Sequence, residues 1–292
     1  MVCDKILMNP NVQEYDGFII GLSHAEVGVI PSMLNGRFCN LSVSSQDIYY
    51  HYKTIKYCIQ NYPNKFKNLK YAVIDLCDYN CFNYDNSLSN AAVNYLGFGG
   101  FNLDKHNFSQ NKSFNIEYED IKRELEKQKF EGLTDINIAN WSVNFSDVYE
   151  LANYEGFNSV YKNLKNRISV VSDAQIDNYQ YSRGTVTHVF EKTVKENIET
   201  LEKMFELLLS VNPEIKIYTT IIPKFIEVEA RDAKELLKHE KIFFDVIEKF
   251  KEKYNIVLVD FKKNSDIIYN RNYFFDANHL NYYGALRLTK EL

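Results

Sequence analysis

Five short apolar segments alternate with stretches of helical periodicity, and this rhythm constrains the chain more than any other feature. The segments span 18–20, 38–43, 71–76, 214–222 and 255–261. Short apolar runs with β-branched residues, bounded by turn signals, read as strands buried on both faces. Ile48, Tyr52, Ile55 and Ile59 repeat at helical spacing over 46–62, and Pro63 stops that helix. Phe190, Val194, Ile198, Leu201, Phe205 and Leu208 mark a second amphipathic helix. Leu236, Leu237, Phe243, Phe244, Ile247 and Phe250 mark a third over 230–253, and 281–292 is the closing helix. Helices between successive strands predict right-handed crossovers, hence an α/β fold on a parallel sheet.

The rhythm breaks between 80 and 181. This stretch is rich in Tyr and Asn and holds Trp141, the only tryptophan. It is too long for a simple connection, so it is expected to be a folded, mostly helical insertion over one rim of the sheet, serving as a substrate lid. Helices are predicted over 117–130 and 146–165. Gly97-Phe98-Gly99-Gly100 lacks the Lys-Ser/Thr and the strand-to-helix setting of a phosphate loop.

Composition removes several function classes. The 292 residues, 45% apolar and 25% charged, suffice for a sizeable core. A net charge of −5 argues against nucleic acid as the main partner. No stretch approaches the roughly 20 apolar residues of a membrane helix, and the N-terminus lacks the apolar segment of a secretory signal. The expected location is therefore cytoplasmic. Cys3, Cys39, Cys58, Cys77 and Cys81 are odd in number and sparse, which reads as buried thiols rather than a disulfide framework. Cys77 and Cys81 lack a second pair of ligands, so no metal and no organic cofactor is expected.

Two stretches carry candidate chemistry. In Gly17-Phe18-Ile19-Ile20-Gly21-Leu22-Ser23-His24 the first strand stops at Gly21. Ser23 then falls at the carboxyl end of a strand, where open α/β sheets bind ligands. A serine there suits a helix cap equally well. Far along the chain, Asp276 and His279 stand three apart, just ahead of the last helix. At that spacing one carboxylate can hold one imidazole and fix its tautomer. A serine hydroxyl needs such a base to become nucleophilic, and both stretches map to the same side of the sheet.

Gly-x-Ser after the first strand, with Asp-x-x-His before the last helix, resembles the SGNH (GDSL-type) hydrolase superfamily. The run Asp276-Ala277-Asn278-His279-Leu280-Asn281-Tyr282-Tyr283-Gly284 is similar to the DxxHLNxxG run of members from bacterial cell-surface polysaccharide and teichoic-acid gene sets. The resemblance implies that Ser23 is the nucleophile, His279 its base and Asp276 the partner of that base. It also implies an oxyanion hole built from three donors. These are the backbone N–H of Ser23, that of Ser45 where the family has Gly, and the side chain of Asn80, displaced by one position. With the strand–helix rhythm, it gives a single flavodoxin-like three-layer α/β/α domain over 1–292, with five parallel strands.

The remaining candidates rank lower. His24 is expected to support the site or contact substrate rather than act as the base. His51, His188 and His239 read as surface or packing residues, and His106 sits in the insertion within reach of the site. Asp75, inside an apolar strand, suits a bond to a neighbouring backbone group better than a carboxylate pair with Asp78. Trp141 and the tyrosines of the insertion suit a sugar-stacking platform, or else reflect the Asn/Tyr-rich composition of the whole chain. The expected function is a serine esterase or O-acyltransferase acting on acyl, chiefly acetyl, esters of a carbohydrate. The alternative is a non-catalytic carbohydrate-binding protein on the same fold.

Overall fold

In the computed structural model, five parallel strands form one sheet: β1 (Gly17–Ile20), β2 (Phe38–Asn40), β3 (Tyr71–Asp75), β6 (Lys216–Ile221) and β7 (Val257–Asp260). The structure describes residues 7, 14–43, 46–84, 165–179 and 188–292, with the backbone of 135–138 and 141–144. The strands lie in the order β2-β1-β3-β6-β7, the flavodoxin-like arrangement expected from the sequence. Pairing is in parallel register throughout, with Phe18 opposite Cys39 and Ala72, and Thr219 opposite Ile74 and Leu258. Between β1 and β3 the chain reverses the direction in which strands are added, which opens a crevice at their carboxyl ends.

Side-chain alternation explains why the sheet needs two covers. Phe18 and Ile20 point into one apolar cluster with Ala72, Ile74 and Ile217, while Ile19 and Val73 point into the other. The first face is covered by α2 (Ile48–Asn61), α5 (Glu191–Val211) and the later turns of α6 (Ile226–Tyr254). The second is covered by α1 (Ser23–Gly28) and α8 (Tyr282–Glu291), through Ala25 and Leu288. Leu201, Phe205 and Phe243 are fully buried, and each stabilises the first face by about 1.5–3 kcal/mol. Asp47 caps α2, its side chain accepting from the Tyr50 N–H, so the helix starts two residues later than periodicity alone suggests. Besides four 3-10 turns, the described chain contains four further short or isolated pieces. These are α3 (Pro63–Phe66), α4 (Asp173–Asp177), α7 (Phe261–Asn264) and an antiparallel ribbon of β4 (Asp135–Ile138) with β5 (Trp141–Asn144).

The ribbon is a feature of the 80–181 insertion that the reading of that stretch as mostly helical did not include. Ile136 and Ile138, then Trp141 and Val143, alternate with polar residues at period two, and a two-residue link joins the runs. That is a hairpin pattern, which a search for helical spacing passes over. The predicted helix over 117–130, Gly97–Gly100 and His106 lie outside the described residues, as does the predicted helix over 146–165 except for its last residue, which is in a turn. Among the described residues, no helix is long and apolar enough to cross a membrane.

The loop ahead of α8 is held more tightly than its irregular backbone suggests. Phe274 and Leu280 form an isolated antiparallel bridge, and the Phe275 N–H donates to the His279 carbonyl at 2.9 Å. Asn281 caps α8 by accepting from the Gly284 N–H at 3.0 Å, while its amide donates to the carbonyls of Ser169 and Asn272. Gly284 is required here because the Tyr273 carbonyl occupies the space that any Cβ would enter. The Asn-x-x-Gly spacing thus docks the last helix against the loop that carries Asp276 and His279. Gly284→Ala should destabilise the protein by about 1–3 kcal/mol, as overpacking does elsewhere, read as a lowered midpoint in urea unfolding. An unchanged midpoint would mean that the Tyr273 carbonyl has room to move.

Candidate active site

Gly21 and Leu22 turn the chain from β1 into α1, and Ser23 is the first residue of that helix. A Cβ on Gly21 would lie 2.6 Å from the Asp75 Cβ and 2.8 Å from the Ala25 Cβ, so only glycine lets β1, β3 and α1 converge there. The helix-cap reading of Ser23 is not what the structure contains. Leu22 holds the cap position with no side-chain cap bond. The Ser23 hydroxyl instead lies 2.8 Å from Nε2 of His279.

His279 and Asp276 complete a continuous chain of polar contacts. Nδ1 of His279 lies 3.0 and 3.1 Å from the two carboxylate oxygens of Asp276. A carboxylate only accepts, so Nδ1 carries the proton and the Nε2 lone pair faces the Ser23 hydroxyl. Asp276 is itself fixed, since its Oδ1 accepts the backbone N–H groups of Asn278 and His279 at 2.8 Å each. Burial alone would raise the Asp276 pKa, but the bond and charge of His279 and these two N–H groups bring it down to about 2. Burial pushes His279 below its ordinary 6.5, against the opposing pull of Asp276. The imidazole is therefore neutral at pH 7, the form that accepts a proton.

A second imidazole lies against the first. The rings of His24 and His279 stack with centroids 5.1 Å apart. His24 is buried, with Nδ1 at 2.9 Å from Cys77 Sγ and Nε2 at 3.2 Å from Asn278 Oδ1. Of the two roles expected for His24, that arrangement suits support of the site over contact with substrate, since both edges of its ring meet protein groups. Cys77 adopts a left-handed backbone, φ 66°, rare for a residue with a Cβ.

The other expected site residues fare unequally. Ser45 lies outside the described residues, as does the Trp141 side chain. Asn80 is buried ahead of a short 3-10 turn, its Oδ1 without a hydrogen-bond partner among the described residues. Tyr79 turns away, donating its hydroxyl to Asp260 at 2.8 Å. His51 and His239 are buried packing residues, and burial pushes His51 down to about 4. Asp78 belongs to an ion cluster, with Lys224 at 2.7 Å and Lys262 at 2.9 Å. Lys224 also meets Asp232, and Lys262 also meets Glu229. Two residues near the site carry no spacing signal. Arg167 lies over the Phe275 ring at 3.9 Å and in the field of Asp276. Asn278 was visible only as an interior position of the Asp-x-x-His run.

Asp75 closes the floor of the site. Its Oδ1 accepts from the Thr220 hydroxyl at 3.2 Å, and the backbone N–H of Cys77, a neighbouring backbone group of the kind expected, also bonds the carboxyl. Burial, and then the nearby Cys77 sulfur, raise its pKa from 3.8 to about 7. A raised carboxyl contributes stability below its unfolded value that is lost as pH rises through the folded one. Wild-type stability should therefore fall between pH 4 and about 7 from this group. Asp75→Asn should flatten that part of the profile, measured by urea unfolding across the range. A variant that keeps the wild-type slope would place the titration elsewhere. Compared with known proteins, the chain matches no family model and no curated protein.

Proposed function

We propose that this protein is a serine acyl hydrolase or O-acyltransferase of the SGNH type, acting on acyl esters of a carbohydrate through a seryl-ester intermediate. The carrying observation is the unbroken contact chain from the Ser23 hydroxyl through His279 to Asp276. In this reading Ser23 Oγ adds to the ester carbonyl while Nε2 of His279 takes its proton. The imidazolium then returns the proton to the leaving alcohol oxygen, leaving the acyl group on Ser23. Asp276, held ionised, orients the ring and stabilises its charged form. A second hydroxyl, from water or from a sugar, repeats the sequence and frees Ser23. The backbone N–H of Ser23, at the start of α1, is a donor toward the developing oxyanion. The carbohydrate assignment rests on the resemblance of the Asp276–Gly284 run and on the aromatic content of the insertion.

A non-catalytic binding protein is favoured by one observation. The third oxyanion block departs from the family pattern: Asn80 is displaced by one position, and Tyr79 just before it is committed to Asp260. Losing one oxyanion donor typically costs ~100- to 1000-fold in turnover, which slows a site of this kind without removing its nucleophile. A fluorophosphonate probe separates the two readings, because it reacts with an activated serine whatever the natural substrate. Wild-type protein should be labelled at Ser23, with no label in Ser23→Ala. His279→Ala should lose labelling by about 100-fold or more. The acid limb of the labelling rate should fall below pH 6.5, since a depressed imidazole keeps its base form to lower pH. Unlabelled wild-type protein, or labelling that survives in Ser23→Ala, would overturn the nucleophile assignment.

Hydrolysis and transfer are distinguished by partition. With an activated acetyl ester and candidate oligosaccharides, a transferase should divert acetyl from free acetate to sugar, read by mass spectrometry. Acetate as the sole product with every sugar would leave a plain esterase.

A further inference from the structure

The serine chain leaves a second set of chemically matched groups unused. Cys77 Sγ, His24 and Asn278 stand in line. The thiol lies at Nδ1 of the imidazole, 2.9 Å away, and the amide oxygen lies at Nε2, 3.2 Å away. Asn278 Oδ1 also faces the Tyr179 hydroxyl, at 3.5 Å, so two donors converge on it and fix the amide as the acceptor. With Nε2–H donating to Asn278, Nδ1 is left as the basic atom, and it faces the thiol. Thiol, imidazole and amide in this order form a nucleophile, its base and the group that orients the base.

The neighbouring thiols contrast with it. Burial alone drives the Cys39 pKa far up, and burial followed by nearby negative groups does the same to Cys81. Both stay protonated and inert. Only Cys77, among the described cysteines, has an imidazole nitrogen at its sulfur. Beside it, Asp75 feels the charges of both Cys77 and His24, and its Oδ2 is buried without a hydrogen-bond partner among the described residues. When protonated, that carboxyl can donate to a carbonyl oxygen. Cys77 itself is only 3% exposed, so it suits a short acyl group and excludes a bulky one.

We propose that Cys77 is a second nucleophile of this protein, activated by His24 and Asn278, which accepts a short acyl group from a thioester. The Cys77 proton passes to Nδ1 of His24 as Sγ adds to the thioester carbonyl. The tetrahedral adduct breaks its bond to the donor sulfur, and His24 returns the proton to that leaving thiolate. The products are S-acyl-Cys77 and the donor thiol. One thioester replaces another, so no oxidant and no energy source is needed. This step does not depend on the serine assignment.

The probe is the small thioester S-acetyl-N-acetylcysteamine, with the site of acetylation read by peptide mapping. Wild-type protein and Ser23→Ala should both gain acetyl on Cys77, removable by neutral hydroxylamine, while Cys39 and Cys81 stay unmodified. His24→Gln should slow the reaction by about 100-fold, the contribution expected of a positioned base. Circular dichroism reports whether that variant folds. Asn278→Ala, which removes the orienting amide and leaves His24 in place, should change the rate in the same direction and serves if His24→Gln does not fold. Absence of acetyl on Cys77 in both proteins would overturn the proposal. So would labelling that needs Ser23, that spreads equally to Cys39 and Cys81, or that proceeds at the wild-type rate in the folded variants.

Discussion

The contact between Ser23 and His279 joins residues 256 positions apart, and much of the architecture serves to make it possible. Ser23 stands at the carboxyl end of β1, near the middle of the sheet, while His279 belongs to a loop reached only after β7, at its edge. Parallel strands bring their carboxyl ends to one side, so the two groups share a rim. A side chain on that rim must still be aimed to within tenths of an ångström. The aiming is done by α8. Asn281 and Gly284 dock that helix on the Tyr273 carbonyl, and the Phe274–Leu280 bridge closes the loop that presents the imidazole.

Charge is managed by separation. Toward β6 and β7, Asp78, Lys224, Lys262, Glu229 and Asp232 form a buried network in which each cation has two carboxylates. Burying such groups is expensive, and the network stabilises only because its members compensate one another. Asp78 leaves β3 three residues after Asp75, yet the two carboxyls have opposite fates. Asp78 is held strongly ionised by Lys224 and Lys262 against its burial, whereas for Asp75 burial outweighs the opposing pull of His24 and pushes it up to about 7. The cation that acts on His279 lies outside this network: after burial, Arg167 helps to lower the imidazole's pKa.

The fold was largely legible because its signal is repeated. Five apolar runs and the helices between them each point to the same sheet, and missing one end by two residues changes nothing. Ser23, Asp276 and His279 were legible for a different reason: each adjoins a turn or cap that sequence marks well. What stayed hidden depends on tertiary approach. Cys77 is the buried free thiol that was expected, but nothing in Leu76-Cys77-Asp78 says that a histidine from α1 arrives at its sulfur. His24 was expected to point away from Ser23 if a helix opens there, and the first turn of α1 does carry it inward, but nothing local says that it stacks on His279. The β4–β5 ribbon was missed because four-residue strands are too short to stand out in a polar stretch.

The stack of His24 on His279 constrains how both histidines can act. Two unit charges at the 5.1 Å separation of their rings would repel by about 3 kcal/mol at an effective dielectric near 20. That exceeds two pKa units, so the pair cannot hold two protons near neutrality. His279 alone has a carboxylate partner, and Asn278 offers His24 only a neutral amide. At rest, a positive charge on the pair therefore favours His279, and His24 can carry one only while His279 is neutral and a negative charge develops beside it. The stack thus lowers the resting basicity of His279, leaving it to be protonated only when Asp276 and a developing negative charge beside Ser23 can both compensate it. A carboxylate in place of Asn278 would draw the charge to His24 and disable its neighbour. The amide orients His24 without charging it, and so two imidazoles can share one site.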